Sequence, residues 1–140
     1  MFNLPIRSVM ERKKFITAAP DATVSQAARL MASRNTGAVL IVENEQLIGS
    51  FTERDVVFRV IAPGLDPQQT HLKEVMTANP KTLGPTQSYG HALVIMQENG
   101  FRHVPVVENG RAIGIISSRN AMDPDLEEFV ADQRRREHFR

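Results

Sequence analysis

The chain has 140 residues, 41% of them hydrophobic and 24% charged, a balance that suits a globular domain able to bury a core without staples. Seventeen Lys and Arg against sixteen Asp and Glu leave a formal charge of +1, which argues against a protein that coats nucleic-acid phosphates. Cysteine is absent, which removes disulfides, thiolate metal sites, thiol nucleophiles and thiol redox chemistry.

The first ten residues carry no basic start followed by a long apolar stretch, so no signal peptide is expected. The longest apolar runs, such as residues 38–42, are strand-sized and fall short of the ~20 residues a bilayer span needs. A cytoplasmic protein without membrane contact is expected.

An internal repeat organises the chain. Shifted by 65 positions, Ala38-Val-Leu-Ile-Val-Glu-Asn44 lies over His103-Val-Pro-Val-Val-Glu-Asn109, and Gln46-Leu-Ile-Gly49 lies over Arg111-Ala-Ile-Gly114. From Pro20 to Val56 about ten of roughly 37 ungapped positions are identical, far above chance for unrelated segments, so the chain reads as a tandem duplication.

In chain order, the first copy opens on a short extended run, 15–17, and turns at Pro20. Thr23 is a good N-cap, and Val24, Ala27, Ala28, Leu30 and Met31 follow at helical spacing. Two Val- and Ile-rich runs, 38–42 and 46–51, flank Glu43-Asn-Glu45 and predict a β-hairpin. A second helix is expected from Thr52. Ala62-Pro-Gly-Leu-Asp-Pro67 reads as a linker. The second copy repeats the order with an extended run at 81–83, a helix from Ser88, a hairpin of 103–107 and 111–116, and a helix from Ser117. Residues 123–140 read as an extra helix with acids first and arginines last, as the helix dipole favours. Arg134-Arg-Arg136 reads as its solvated end, so no nucleic-acid partner is expected.

The expected fold is α+β. Two tandem β-α-β-β-α repeats, residues 5–62 and 71–122 joined by 63–70, would pack sheet to sheet with an extra C-terminal helix. One repeat of ~60 residues would be marginal alone, so a single unit is expected.

The order of these features, repeated twice, resembles a tandem pair of CBS domains, the cystathionine-β-synthase-type module, over about residues 5–122. In the first copy the resemblance rests on Val9-Met10, Pro20, the hairpin ending Ile48-Gly49, and Thr52-x-x-Asp55. In the second it rests on Val75-Met76-Thr77, Gly100-Phe-Arg-His-Val-Pro-Val-Val107, Ile113-Gly114 and Ser117-x-x-Asn120. It implies a stand-alone regulatory module without catalytic residues. Two clefts between the sheets would take an adenosine-containing ligand: AMP, ADP, ATP, NAD or S-adenosylmethionine.

The resemblance also implies roles for residues. Thr52 and Asp55, and Ser117 and Asn120 in the second copy, would hold ribose and phosphate. Thr17-Ala18 and Thr82-Leu83 would line the adenine pocket, with Ala38, Val39, His103, Val104 and Pro105 on the neighbouring strands. Arg102 would meet phosphate, for which Arg has the right geometry, and the first copy has Gly37 there, so the clefts cannot be equivalent.

The residues allow an independent reading. Thr52 with an acid three positions on is also a capping box. A carboxylate there can instead accept both hydroxyls of a cis-diol, and Asp is shorter than the Glu or Gln that capping boxes prefer, which tilts the reading outward. Arg54 and Arg119 are cations in a first helical turn, against the dipole. A bound phosphate would remove that conflict; a stem lying over its own hairpin is the plainer account. Asn120 offers one neutral acceptor where an acid is expected, so the Asp55 cleft should be the stronger by ~1–3 kcal/mol.

Histidines at 71, 91, 103 and 138 have no ligand spacing, so no metal is expected. Val56, Val57, Val60 and Ile61 look too apolar for one solvated helix. A homodimer built on helices is expected, and in the family such helices pair two modules into a flat disc. A separate regulated protein is a further possible partner. The competing reading is a structural or protein-interaction module whose clefts are vestigial, with Asn120 as its support.

Overall fold

The structure is a computed structural model that describes residues 2–10, 15–118 and 132–136. The helix expected from Ser117, together with Arg119 and Asn120, lies outside these residues, as does most of the expected C-terminal helix; residues 132–136 are helical.

Strand β1 (Thr17–Ala18) leads to helix α1 (Val24–Arg34). Thr23 starts α1 because its hydroxyl accepts the Gln26 N–H at 3.2 Å while the Gln26 carbonyl oxygen accepts the Thr23 N–H at 2.9 Å. Asn35, left-handed at φ 51°, ends it. Strands β2 (Ala38–Glu43) and β3 (Gln46–Thr52) form the first hairpin. Helix α2 (Glu53–Asp55) runs straight into a π-helical segment, Val56–Ile61. A short helix α3 (Leu72–Val75) and strand β4 (Thr77–Ala78) follow. Helix α4 (Tyr89–Asn99) starts at Ser88, whose hydroxyl accepts the His91 N–H at 3.2 Å, and ends at Gly100. Strands β5 (His103–Glu108) and β6 (Arg111–Ser117) form the second hairpin.

The hairpins match closely. Asn44 and Glu45 take φ 52° and 66°, and Asn109 and Gly110 take 55° and 79°, the left-handed pair that a tight two-residue turn requires. Each ladder shifts register at the equivalent place, Ile41/Val42 and Val106/Val107. The turns also meet: Leu47 N–H donates to the Gly110 carbonyl at 3.0 Å, and Arg111 pairs with Glu45 at 2.6 Å. A Cβ on Gly110 would collide with the Gln46 side chain.

The sheets are less alike. The first has four strands in the order β1-β2-β3-β4, with β1 parallel to β2. Among the described residues the second has two, β5 and β6. The strand expected at 81–83 is reduced to one parallel bridge, Leu83 to Val106. Ala38, Leu40 and Ile115 pack between the sheets, flanked by Phe15, Leu47 and Ala112, so the repeats join sheet to sheet as one α+β unit.

Each sheet covers a larger apolar cluster against its helix, and the two clusters exchange a segment. The first joins Val24, Ala27, Val39, Ile41 and Phe51 to Leu72 and Val75, which come from after the linker. The second joins Tyr89, Ala92, Val104 and Ile116 to Ile6, which comes from the start of the first repeat. The exchange is reciprocal in its backbone bonds. Ile6 and Arg7 N–H donate to Gln87 and Pro85 carbonyls at 2.8 and 2.9 Å; Leu72 and Lys73 N–H donate to Ala22 and Pro20 at 2.8 and 3.0 Å. The repeats of the sequence are therefore not the packing units.

Candidate functional site

Strand β3 ends at Thr52, whose extended backbone turns its hydroxyl onto the first helical turn. The Asp55 N–H donates to Thr52 Oγ1 at 3.3 Å, and the Thr52 N–H donates to Asp55 Oδ2 at 2.9 Å. The capping box is thus formed with the shorter acid. The other carboxylate oxygen, Oδ1, faces Arg59 Nε at 3.5 Å. The outward tilt expected for Asp55 gives way to an inward one for the oxygen that caps.

Beyond Asp55 the chain winds with i→i+5 bonds; the Ala62 N–H reaches the Val57 carbonyl at 2.9 Å. Val60 is fully buried and Val56 packs on the first cluster. Val57, Phe58 and Ile61 are left 54–58% exposed. Only half of the apolar set read from the sequence therefore needs cover from outside the chain. The Arg54 guanidinium lies 4.2 Å from the centre of the Phe58 ring, a cation–π contact one turn along. Arg54 packs on its own helix and not over its hairpin.

Thr52, Arg54, Asp55, Val57, Phe58 and Arg59 form one wall of a cleft of about 800 Å³. A second wall comes from Thr77, Pro80 and Lys81, the stretch from β4 onward. The third runs from Asn99 to His103 and includes Pro105. A Cβ on Gly49 would collide with the Met76 side chain, so glycine leaves Met76 room where α3 gives way to β4 beside β3.

Six of the residues singled out in the sequence meet here: Thr52, Arg54, Asp55, Arg102, His103 and Pro105. The others do not. Val39 and Val104 are fully buried in the two clusters, and Ala38 is buried between the sheets. Thr17 and Ala18 pair with Leu40 and Ile41, away from the cleft. Thr82 is exposed and outside it, and Leu83 is core. Ser117 pairs with His103 across the second hairpin. Phe58 and Arg59 were within reach of the sequence, being one turn beyond Arg54 and Asp55. Thr77, Pro80 and Lys81 were not, because only the exchange of segments brings them across.

Cations outnumber acids on the walls: Arg54, Arg59, Lys81 and Arg102 against Glu53 and Asp55. Arg59 is tied to Asp55. Among the described residues Arg54, Lys81 and Arg102 have no carboxylate partner. The walls can meet an anion with three forks or points of positive charge, and a polar ring with Thr52 and the free lone pairs of Asp55. Among the described residues no group of three or more His, Asp or Glu could hold a metal ion, and no helix is long and apolar enough to cross a membrane.

Comparison with known proteins matches the CBS domain twice, over residues 6–62 and 72–124. A CBS domain-containing protein of Arabidopsis thaliana, CBSCBSPB2, is 40% identical over 104 residues, which are 74% of this chain and 19% of that protein. The chain thus spans about a fifth of the length of the plant relatives it matches first. A solved structure of an uncharacterized conserved protein from Pyrococcus horikoshii superposes with a TM-score of 0.81 at 28% identity, covering 87% of this chain and 92% of the other. A CBS domain protein from Pyrobaculum aerophilum, complexed with AMP, shares the fold at a TM-score of 0.79 and 22% identity, over 92% and 99% of the chains. Two matched copies that span most of the sequence, on the fold those structures share, make this chain a member of the CBS domain family.

Proposed function

We propose that this protein is a regulatory module that binds an adenosine-containing nucleotide between its repeats and passes occupancy to a partner. The observation that carries the reading is the composition of the cleft. Thr52 and Asp55 come from the first repeat, and Arg102, His103 and Pro105 from the second. A ligand there touches both repeats at once, so it favours whichever relative placement it fits best. Thr52 and Asp55 suit a ribose, and Arg54, Lys81 and Arg102 suit phosphate. The Pyrobaculum protein complexed with AMP gives a precedent for the ligand class on this fold. AMP, ATP, NAD and S-adenosylmethionine are the ligands to try.

The test is thermal unfolding with and without each of the four at millimolar concentration. A ligand at 100 times its dissociation constant adds ~2.7 kcal/mol, which raises Tm by several degrees in a chain of this size. No shift with any of them overturns the reading. The same outcome would favour a protein-interaction module with unused clefts, a reading supported by the two contacts Asp55 already makes, to Thr52 and Arg59.

The proposal includes a homodimer that covers Val57, Phe58 and Ile61, which lie exposed on one π-helical segment. Light scattering at tens of micromolar should give twice the chain mass, and Val57→Lys should shift it toward the monomer. A monomeric wild type sinks this part alone.

A further inference from the structure

We infer that Arg59 is a positioning residue: it holds two walls of the cleft at a fixed spacing and acts on a ligand through Asp55. The inference rests on the nucleotide reading for the ligand role of Asp55 and for its choice of probe.

Arg59 makes two contacts that lead to different walls. Its Nε lies 3.5 Å from Asp55 Oδ1. Its Nη1 donates to the Val75 carbonyl at 3.1 Å. Asp55 belongs to the first wall, where its other oxygen takes the Thr52 N–H at 2.9 Å. Val75 ends α3, the segment that closes the first cluster. Two residues later the chain becomes β4 and then the second wall, Thr77, Pro80 and Lys81. The run Thr52, Asp55, Arg59, Val75 therefore links the first wall to the segment that leads into the second through two side chains.

Stability alone does not account for this arrangement. The Arg59 side chain is 46% exposed although Asp55 is only 15% exposed, so solvent screens the pair from the arginine side and its contribution to folding is modest. Leu72 and Val75 anchor α3 in the core, and Arg59 adds a tie at the C-terminal end of α3, where the chain leaves for β4. The guanidinium is suited to a different task. Its planar fork offers several donors in fixed directions, so it can fix an acid and a carbonyl at one mutual distance. The π-helical winding bears on this: such segments often sit at functional sites, and this one contains Arg59. It still leaves the Arg59 side chain in reach of Asp55, four positions back.

Arg59 also lines the cleft, so direct ligand contact is the competing role, and the experiment separates the two. Calorimetric titration of AMP is run on the full chain in four forms: wild type, Arg59→Met, Asp55→Asn and the double variant. Arg59→Met should weaken AMP about three- to tenfold with Tm nearly unchanged, and Arg59→Lys should recover part of the loss. In the Asp55→Asn background the Arg59→Met penalty should largely vanish, because the acid it orients is gone. A penalty that persists in full there means Arg59 meets the ligand itself, and the inference fails.

Hydrogen exchange supplies a readout that needs no ligand. The Asn79 N–H donates to the Ile48 carbonyl at 3.0 Å and ties the second wall to β3. Arg59→Met should speed its exchange while leaving the α1 amides unchanged. If wild type binds no nucleotide, the functional reading falls and this measurement still decides the positioning role; unchanged exchange at Asn79 overturns it.

Discussion

The first apolar cluster is closed by residues 72–76 and the second by residues 6–10, and the first closure leads on into a cleft wall. Both pack an aliphatic residue, Leu72 or Ile6, that is fully buried. Both bond to equivalent carbonyls, Ala22 and Pro20 or Gln87 and Pro85. The first closure then continues as β4, pairs with β3 and becomes a cleft wall. Among the described residues the second adds no strand, and its sheet stays two-stranded. The cleft with three walls lies where the first closing segment, through β4, joins the sheet of β3.

The largest expected effect breaks the closures one at a time. Leu72→Ala and Ile6→Ala should each cost about 2–5 kcal/mol, as for other buried aliphatic truncations, read by denaturant unfolding. Hydrogen exchange then shows where each loss falls. Ile6→Ala should loosen α4 with β5 and β6, and Leu72→Ala should loosen α1 with the first sheet. Ile6→Ala loosening α1 instead would mean that each segment serves its own sequence repeat, against the exchange.

Next in size is Asp55→Asn, which gives the first corner the residue type that stands at position 120. The amide oxygen can still accept the Thr52 N–H, so Tm should fall little. Affinity for AMP should drop roughly 10–100-fold, the equivalent of ~1–3 kcal/mol. Unchanged affinity removes Asp55 from the ligand and leaves it as a cap.

A smaller effect concerns the cations. If Arg54 and Arg102 meet phosphate, adenosine binds more weakly than AMP, and the gap narrows as salt is added. Replacing either by Met should shrink the gap by about three- to tenfold, in line with losing one charged hydrogen bond. Equal affinity for the two ligands in wild type returns Arg54 to its place over Phe58.

What was legible in the sequence was local. The hairpins, the caps at Thr23 and Ser88 and the Thr52 corner are set by residues within a few positions of one another, where side chain and backbone decide the shape together. Both closures were visible only as an echo, Val9-Met10 and Val75-Met76, because the cluster Ile6 or Leu72 joins is settled by how the chain crosses over. The π-helical winding was illegible for a related reason. Val56 and Val60 sit four apart, as in any α-helix, and the extra residue per turn shows only in the i→i+5 bonds. The cleft inherits both gaps: Thr52, Arg54 and Asp55 were readable, whereas Lys81 reaches the same space only through the exchange.

The smallest effect sharpens the comparison of closures through one ion pair. Lys73 Nζ lies 2.8 Å from Asp21 Oδ1 and pins the first closure to the turn before α1. Thr86 stands at the position equivalent to Asp21, so the second closure lacks that carboxylate. The hydrogen bond from Lys73, and then its charge, hold the Asp21 carboxyl below its usual range, and the same contacts raise Lys73. A lowered acid contributes stability above its unfolded value, about 3.9, and loses it as pH falls through the lower folded value. A raised lysine contributes below its unfolded value, about 10.4, and loses it as pH rises through the higher folded one. Both side chains are exposed, so solvent and salt screen the pair. Asp21→Asn should therefore lower Tm only slightly at pH 7 and low salt. The gap to wild type should close both in molar salt and below the folded Asp21 value. Tm of the two proteins, followed from pH 2 to 7 at two salt concentrations, checks it. A gap that survives molar salt would show that Asp21 holds the first closure by something other than charge, and that the two closures differ in more than one exposed pair.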